Sequence, residues 1–318
     1  MKFFTPKQIY EELNKSVIGQ HEAKLLLSNV GMMIQQRFYQ KYLTFGKQVP
    51  MIHKTVTLLA GDSGTGKTTI VRTLAKIINA PLLEINTNTL SAEGWHGENL
   101  SDLLKKFIKT KANPEDLAET PEGTVTRTIV FLDEFDKVLI DLHDSNQGAH
   151  NRAILNNFLK VVEDCSAMGD FNWILGGSFN IHRQELKEPS KTIGFNKLTE
   201  MSEKEFNKEF LIEKGLPEEL AGRITGLAEL KKLTKVDLIN ILKLPYGYIN
   251  QYKQLALQFN MQFEVTEALL DSIADEVLNS SQGARALQDV IYKHFEVQLF
   301  NLEFKEDEHK EESYLPTR

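Results

Sequence analysis

Residues 61–69 read Gly-Asp-Ser-Gly-Thr-Gly-Lys-Thr-Thr, and no other feature of this 318-residue chain restricts its fold so tightly. The spacing Gly61-x-x-x-x-Gly66-Lys67-Thr68 follows the apolar run TVTLLA at 55–60 and precedes a helical pattern at 68–79. A strand, a glycine loop and a helix in that order make a cradle for phosphate. The glycines let backbone N–H groups curl around an anion at a helix N-terminus, the lysine reaches the β- and γ-oxygens, and the hydroxyl after it ligates Mg²⁺. The expected nucleotide contacts are therefore Gly61, Asp62, Ser63, Gly64, Thr65, Gly66, Lys67, Thr68 and Thr69, with ATP and Mg²⁺ bound there.

Three more apolar segments follow: PLLEIN at 81–86, RTIVFLD at 127–133 and FNWILGG at 171–177. Strands this apolar, separated by helical segments, predict an α/β fold with a parallel sheet covered on both faces. The third strand ends in Asp133-Glu134. Acids rarely sit beside so apolar a strand without a purpose. Asp133 is placed to hold Mg²⁺ through water, and Glu134 to polarise the water that attacks the γ-phosphoryl group. Binding alone needs no such base, so Glu134 and Lys67 are the candidate catalytic pair. Two acids capping a strand end at the surface is the competing reading, and it weakens beside a phosphate loop.

The chain is longer than one hydrophobic core comfortably serves, which predicts a large domain at 1–231, a small, mostly helical domain at 232–303 and an acidic tail at 304–318. Thr5, Pro6 and Gln8 spell a capped helix start, and a second helix is predicted from about Glu22 to Tyr42. From Leu233 onward amphipathic helical patterns dominate. The stretches 109–126 and 181–201 are polar and marked by Pro and Gly, which predicts loops. Residues 303–312 hold six acids against two lysines, and the net charge is −7. No dense basic run exists to displace phosphate counterions, so nucleic acid is an unlikely partner. The single cysteine, Cys165, excludes an internal disulfide and suits a reducing, cytoplasmic setting. No stretch has the apolar length to cross a membrane.

Four segments together resemble the AAA+ unfoldases of the ClpX family: TPKQIYEELNKSVIGQHEAK at 5–24, DEFDK at 133–137, GLPEELAGR at 215–223 and GARAL at 283–287. The resemblance covers nearly all of 5–300. It implies an AAA+ P-loop large domain followed by a helical small domain, assembled as a homohexamer that threads polypeptide substrates through its pore. It implies that Val17 and Ile18 line the adenine pocket and that Arg223 reaches the neighbouring subunit's nucleotide. Arg285, in the sensor 2 motif, would touch the nucleotide and let its γ-phosphate state rotate the two domains.

In the same family a pore loop lies where this chain has Gly94-Trp95-His96-Gly97, so Trp95 and His96 would grip substrate, replacing the usual tyrosine and valine. Ile193-Gly194-Phe195 lies where the family docks on a ClpP-like peptidase. Other readings stay open for each of these: a helix-packing turn for Val17 and Ile18, surface ion pairing for Arg223, a solvent-facing Arg285, packing for Trp95, and a plain turn for 193–195. The family's zinc-binding amino-terminal domain is expected to be missing. No residue at 174–178 stands out as sensor 1, Ser178 included, and 138–152 differs from the family's second pore loop. Two alternatives compete at the level of function. One is an AAA+ remodeller of nucleoprotein or other complexes without a protease partner, and the other is a nucleotide-gated scaffold, which Glu134 and Arg223 argue against.

Overall fold

The computed structural model describes residues 3–43, 56–90, 99–111, 117–120, 123–139, 146–163, 170–179, 206–213, 216–258, 265–280 and 282–300. The chain divides into two compact units, Met1–Lys232 and Leu233–Arg318, each with its own apolar core.

The first unit is a sheet covered by helices on both faces. Its strands are β1 (Val56–Ala60), β2 (Leu82–Asn86), β3 (Leu117–Thr120), β4 (Gly123–Asp133), β5 (Asp170–Gly177) and β6 (Ile224–Glu229). Five run in the order β2-β4-β5-β1-β6, every neighbouring pair parallel. Alternate residues of each central strand feed opposite cores, as the period of two requires. Leu58, Val130, Leu132, Trp173 and Leu175 face one cluster, while Leu59, Ile129, Phe131 and Ile174 face the other. The first cluster is closed by α4 (Leu100–Lys111), α5 (Asn146–Glu163), α6 (Lys208–Glu213) and α7 (Glu218–Arg223), and the second by α1 (Pro6–Asn14), α2 (His21–Leu43) and α3 (Lys67–Ile77).

Helix α1 starts as its sequence dictates. The Thr5 hydroxyl accepts from the Gln8 N–H at 3.4 Å, the Gln8 side chain accepts from the Thr5 N–H at 3.0 Å, and Pro6 opens the first turn. That start aims Ile9 and Leu13 into the core beneath the sheet.

The expected loop at 109–126 is corrected. Helix α4 continues to Lys111, and β3 pairs antiparallel with the beginning of β4, from Leu117↔Thr126 to Thr120↔Gly123. Strand β4 is accordingly eleven residues long rather than the seven read from 127–133. Cross-strand pairing, which a polar hairpin does not advertise by its periodicity, decides this segment. Strand β6 was missed for a related reason: Gly226 interrupts a short run whose only apolar neighbours are Ile224, Leu227 and Ala228. Its pairing with β1 holds it in the sheet.

Between Val125 and Ile129 the β4–β5 register shifts. Asn172 fills the irregularity, donating to the Thr126 and Thr128 carbonyls at 3.4 and 3.1 Å and accepting from Arg37 at 3.2 Å. The Arg127 guanidinium lies over the Phe38 ring, 5.3 Å from its centroid. All three polar side chains are buried.

The second unit packs α8 (Lys235–Leu242), α9 (Tyr248–Gln258), α10 (Glu267–Asn279) and α11 (Leu287–Phe300) around Leu238, Ile249, Ile273, Ile291 and Phe295. Thr234 and Asp237 form a reciprocal cap at its entry, with bonds of 3.2 and 2.9 Å. Among the described residues no helix is long and apolar enough to cross a membrane.

Candidate functional site

The phosphate loop grows out of the end of β1 and is wedged at its root. The Gly61 N–H donates to the Gly177 carbonyl at 3.0 Å, and the Leu230 N–H donates to the Ala60 carbonyl at 2.7 Å, so β5 and β6 grip both sides. A Cβ on Gly61 would stand 2.9 Å from the Leu230 carbonyl oxygen and 2.9 Å from Thr65 Oγ1, which leaves no room for any side chain. Gly66 has φ 98, the left-handed region that favours glycine, and it starts α3 without a side-chain cap. The first N–H groups of α3 therefore keep their donors for an anion.

Within the loop, Thr65 Oγ1 donates to the Asp62 carbonyl at 2.8 Å. Lys67 is buried, and its ammonium donates to the Gly61 and Asp62 carbonyls at 2.6 and 3.0 Å. Lys232 pairs with the Asp62 carboxylate at 3.1 Å. Ser63 and Thr69 are exposed, and Asp62 and Gly64 are half-buried.

The second wall is the end of β4. The Thr68 hydroxyl at the start of α3 donates to Asp133 Oδ2 at 3.4 Å, closing the distance between the loop and the acid pair. The parallel register that sets Asn86 opposite Asp133 carries Thr87 and Asn88 alongside Glu134. The Thr87 hydroxyl bonds the Asp133 and Glu134 carbonyls at 3.0 and 2.7 Å, and the Asn88 amide donates to the Glu134 carboxylate. The Glu134 N–H in turn donates to Asp133 Oδ1 at 2.9 Å. Glu134 has φ 58, a left-handed conformation that a glutamate adopts only where its surroundings over-determine it.

Two further groups brace this wall. Asp136 is buried and accepts from the Ser178 hydroxyl at 2.9 Å and the Phe179 N–H at 3.1 Å, tying the segment after β4 to the end of β5. Arg72, on α3, grips Glu84 of β2 through two bonds of 2.7 and 2.6 Å. That pairing raises its guanidinium pKa, with a smaller contribution from the attraction of Asp133.

Of the residues expected from sequence, those of the phosphate loop, Asp133 and Glu134 come together. Val17 is buried in the core beside α1 and α2, and Ile18 is half-buried. Arg223 is exposed at the end of α7. Arg285 is exposed in a single turn before α11 of the second unit. Trp95, His96, Ile193, Gly194 and Phe195 lie outside the described residues. Sequence reasoning missed Gln20, Thr87, Asn88 and Asp136. Asp136 lies inside the DEFDK run and could have been flagged there, whereas Thr87 and Asn88 reach Glu134 only through the pairing of β2 with β4.

Residues 57–182 match the ATPase family associated with various cellular activities (AAA), and residues 233–313 match the C-terminal, D2-small domain of ClpB protein. The chain is 28% identical to the ATP-dependent Clp protease ATP-binding subunit ClpX of Borrelia duttonii, over 90% of this chain and 72% of that protein. The same subunit of Treponema denticola is 28% identical over 91% of this chain and 75% of its own length. That of Azotobacter vinelandii is 28% identical over 94% and 74%.

Proposed function

Because the chain belongs to the AAA ATPases, with a small C-terminal domain of ClpB D2 type, we propose that it couples ATP hydrolysis to unfolding polypeptides and threading them through the pore of a homohexamer. The observation that carries the hydrolytic part is the 3.4 Å approach of the Thr68 hydroxyl to Asp133, with Glu134 next in the chain. An all-oxygen pair of this kind suits Mg²⁺. Bound there, the ion would neutralise charge on the β- and γ-oxygens.

This chain's own groups do the rest. Lys67 and the uncapped N–H groups of α3 hold the phosphates. Glu134, steadied by Asn88, takes the proton of the attacking water. Val17 and Ile18 flank the base. Arg223, exposed at a helix end, serves the nucleotide of the next subunit, and a cation so placed is worth about 10³ to 10⁵ in rate in other phosphoryl-transfer systems. Arg285 senses the γ-phosphate from the small domain. The domain limits follow the same reading: 1–231, 232–303 and an acidic tail at 304–318.

The unfolding part is supported by the similarity to ClpX over nine-tenths of the chain. Trp95 and His96, between Gly94 and Gly97, would grip extended polypeptide, and Ile193-Gly194-Phe195 would dock on a ClpP-like peptidase. The test is ATP-dependent loss of fluorescence from a stably folded, tagged reporter. Wild type should extinguish the signal and Trp95→Ala should not. DNA-stimulated turnover with an intact reporter would overturn the proposal in favour of a nucleoprotein remodeller. Adding a ClpP-type peptidase, with and without deletion of 193–195, tests the docking assignment.

A further inference from the structure

Gln20 breaks two local rules at once. It stands at the N-cap position of α2, its carbonyl accepting from the Lys24 N–H at 3.0 Å. A side chain there ordinarily turns back onto the helix's own first N–H groups. Its backbone also lies in the left-handed region at φ 54, directly after Gly19 at φ 66, where a residue with a Cβ is strained. Where local preference is overridden this plainly, the reason lies in what the side chain reaches.

That side chain joins three segments far apart in sequence. Nε2 donates to the Thr65 carbonyl of the phosphate loop at 3.1 Å and to the Lys231 carbonyl at 2.8 Å, while Oε1 accepts from the Lys231 N–H at 2.9 Å. The amide orientation is fixed by this set, because the reverse would point a donor at the Lys231 N–H. On the other side of the same turn, Lys24 donates to the Val17 carbonyl at 3.2 Å and to Asn14, and burial lowers its pKa. The turn from Val17 to Gln20 is thus pinned to α2 at one end and to the phosphate loop at the other.

We infer that Gln20 is a positioning residue for nucleotide binding, which fixes the turn carrying Val17 and Ile18 to the phosphate loop before the ligand arrives. The inference rests on the reading of 61–69 as the phosphate cradle and of Val17 and Ile18 as base contacts. A ligand that touches both segments needs their spacing set in advance, and a ligand that touches only the loop does not.

The experiment exploits that difference. The full chain is titrated with a fluorescent ATP analogue, and ATP and inorganic tripolyphosphate are each used as competitors, both with Mg²⁺. Gln20→Gly removes the clamp and relieves the left-handed strain. Gln20→Glu keeps the size and the acceptor but turns a carboxylate oxygen toward two carbonyls. Both variants should bind ATP about tenfold more weakly, the weight of one or two hydrogen bonds, with tripolyphosphate affinity changed less than about twofold. The ligand-free melting temperature of Gln20→Gly should stay near that of wild type, and if it falls, the ATP-to-tripolyphosphate ratio in Gln20→Glu decides. Unchanged ATP affinity in both variants, or equal losses for the two ligands, overturns the inference. Lys67→Ala separates the two readings: if it binds ATP like wild type, the cradle assignment itself fails.

Discussion

At the scale of single residues, the acid pair at the end of β4 is differentiated by its partners. Asp133 meets the Thr68 hydroxyl and receives the Glu134 N–H, while the Glu134 carboxylate is held by Asn88 alone among the contacts described for it. One acid is tied to the start of α3 through Thr68 and the other is held from the β2 side by Asn88, so the two carboxylates have separate partners, as the proposed division between metal binding and water activation needs. Glu134→Gln keeps the shape and removes the proposed base. It should bind ATP with affinity within about twofold of wild type and lose at least about 100-fold in turnover, measured by fluorescent-nucleotide titration and phosphate release. Full activity in that variant would remove Glu134 from the mechanism. Lys67→Ala should lose binding itself, because the buried ammonium is the only formal positive charge that the described contacts place among the loop carbonyls.

Elements are where sequence reasoning both succeeded and failed, and the residues say why. The cap at Thr5 and Gln8, the helix after Lys67 and the apolar strands β1 and β2 depend on neighbours within a few positions, so they were legible. The β3–β4 hairpin and β6 depend on partners elsewhere in the sheet, and their own residues are too polar or too short to announce it. Asn172 is the sharpest case. In sequence it interrupts an apolar strand, and in the fold it supplies donors to two carbonyls exposed by the register shift while accepting from the buried Arg37. Asn172→Ala should therefore destabilise the first unit by about 2 kcal/mol, since buried polar groups lose their partners, with urea unfolding as the measurement. A change below about 0.5 kcal/mol would mean that water or neighbouring groups replace the amide.

For the whole molecule, the proposed hexamer makes a claim that one subunit cannot satisfy: Glu134 of one copy works with Arg223 of the next. Glu134→Gln and Arg223→Ala should each be nearly inactive alone. Mixed, they should recover part of the turnover, because some junctions then unite an intact Glu134 with an intact Arg223. Recovery measured by phosphate release, with mass by light scattering to report assembly, checks this. Mixtures no more active than the sum of their parts would place the arginine's action within its own subunit. By itself the sequence determined the phosphate loop, the acid pair and the α/β plan, because each is a short-range pattern whose chemistry is written in consecutive residues. Only the tertiary structure decided what surrounds them. Thr68 meets Asp133 across 65 positions, Asn88 meets Glu134 across 46, and Gln20 meets Lys231 across 211. Such meetings follow from strand order and register, which arise from packing the whole sheet between two helical layers, and no local run of residues encodes them.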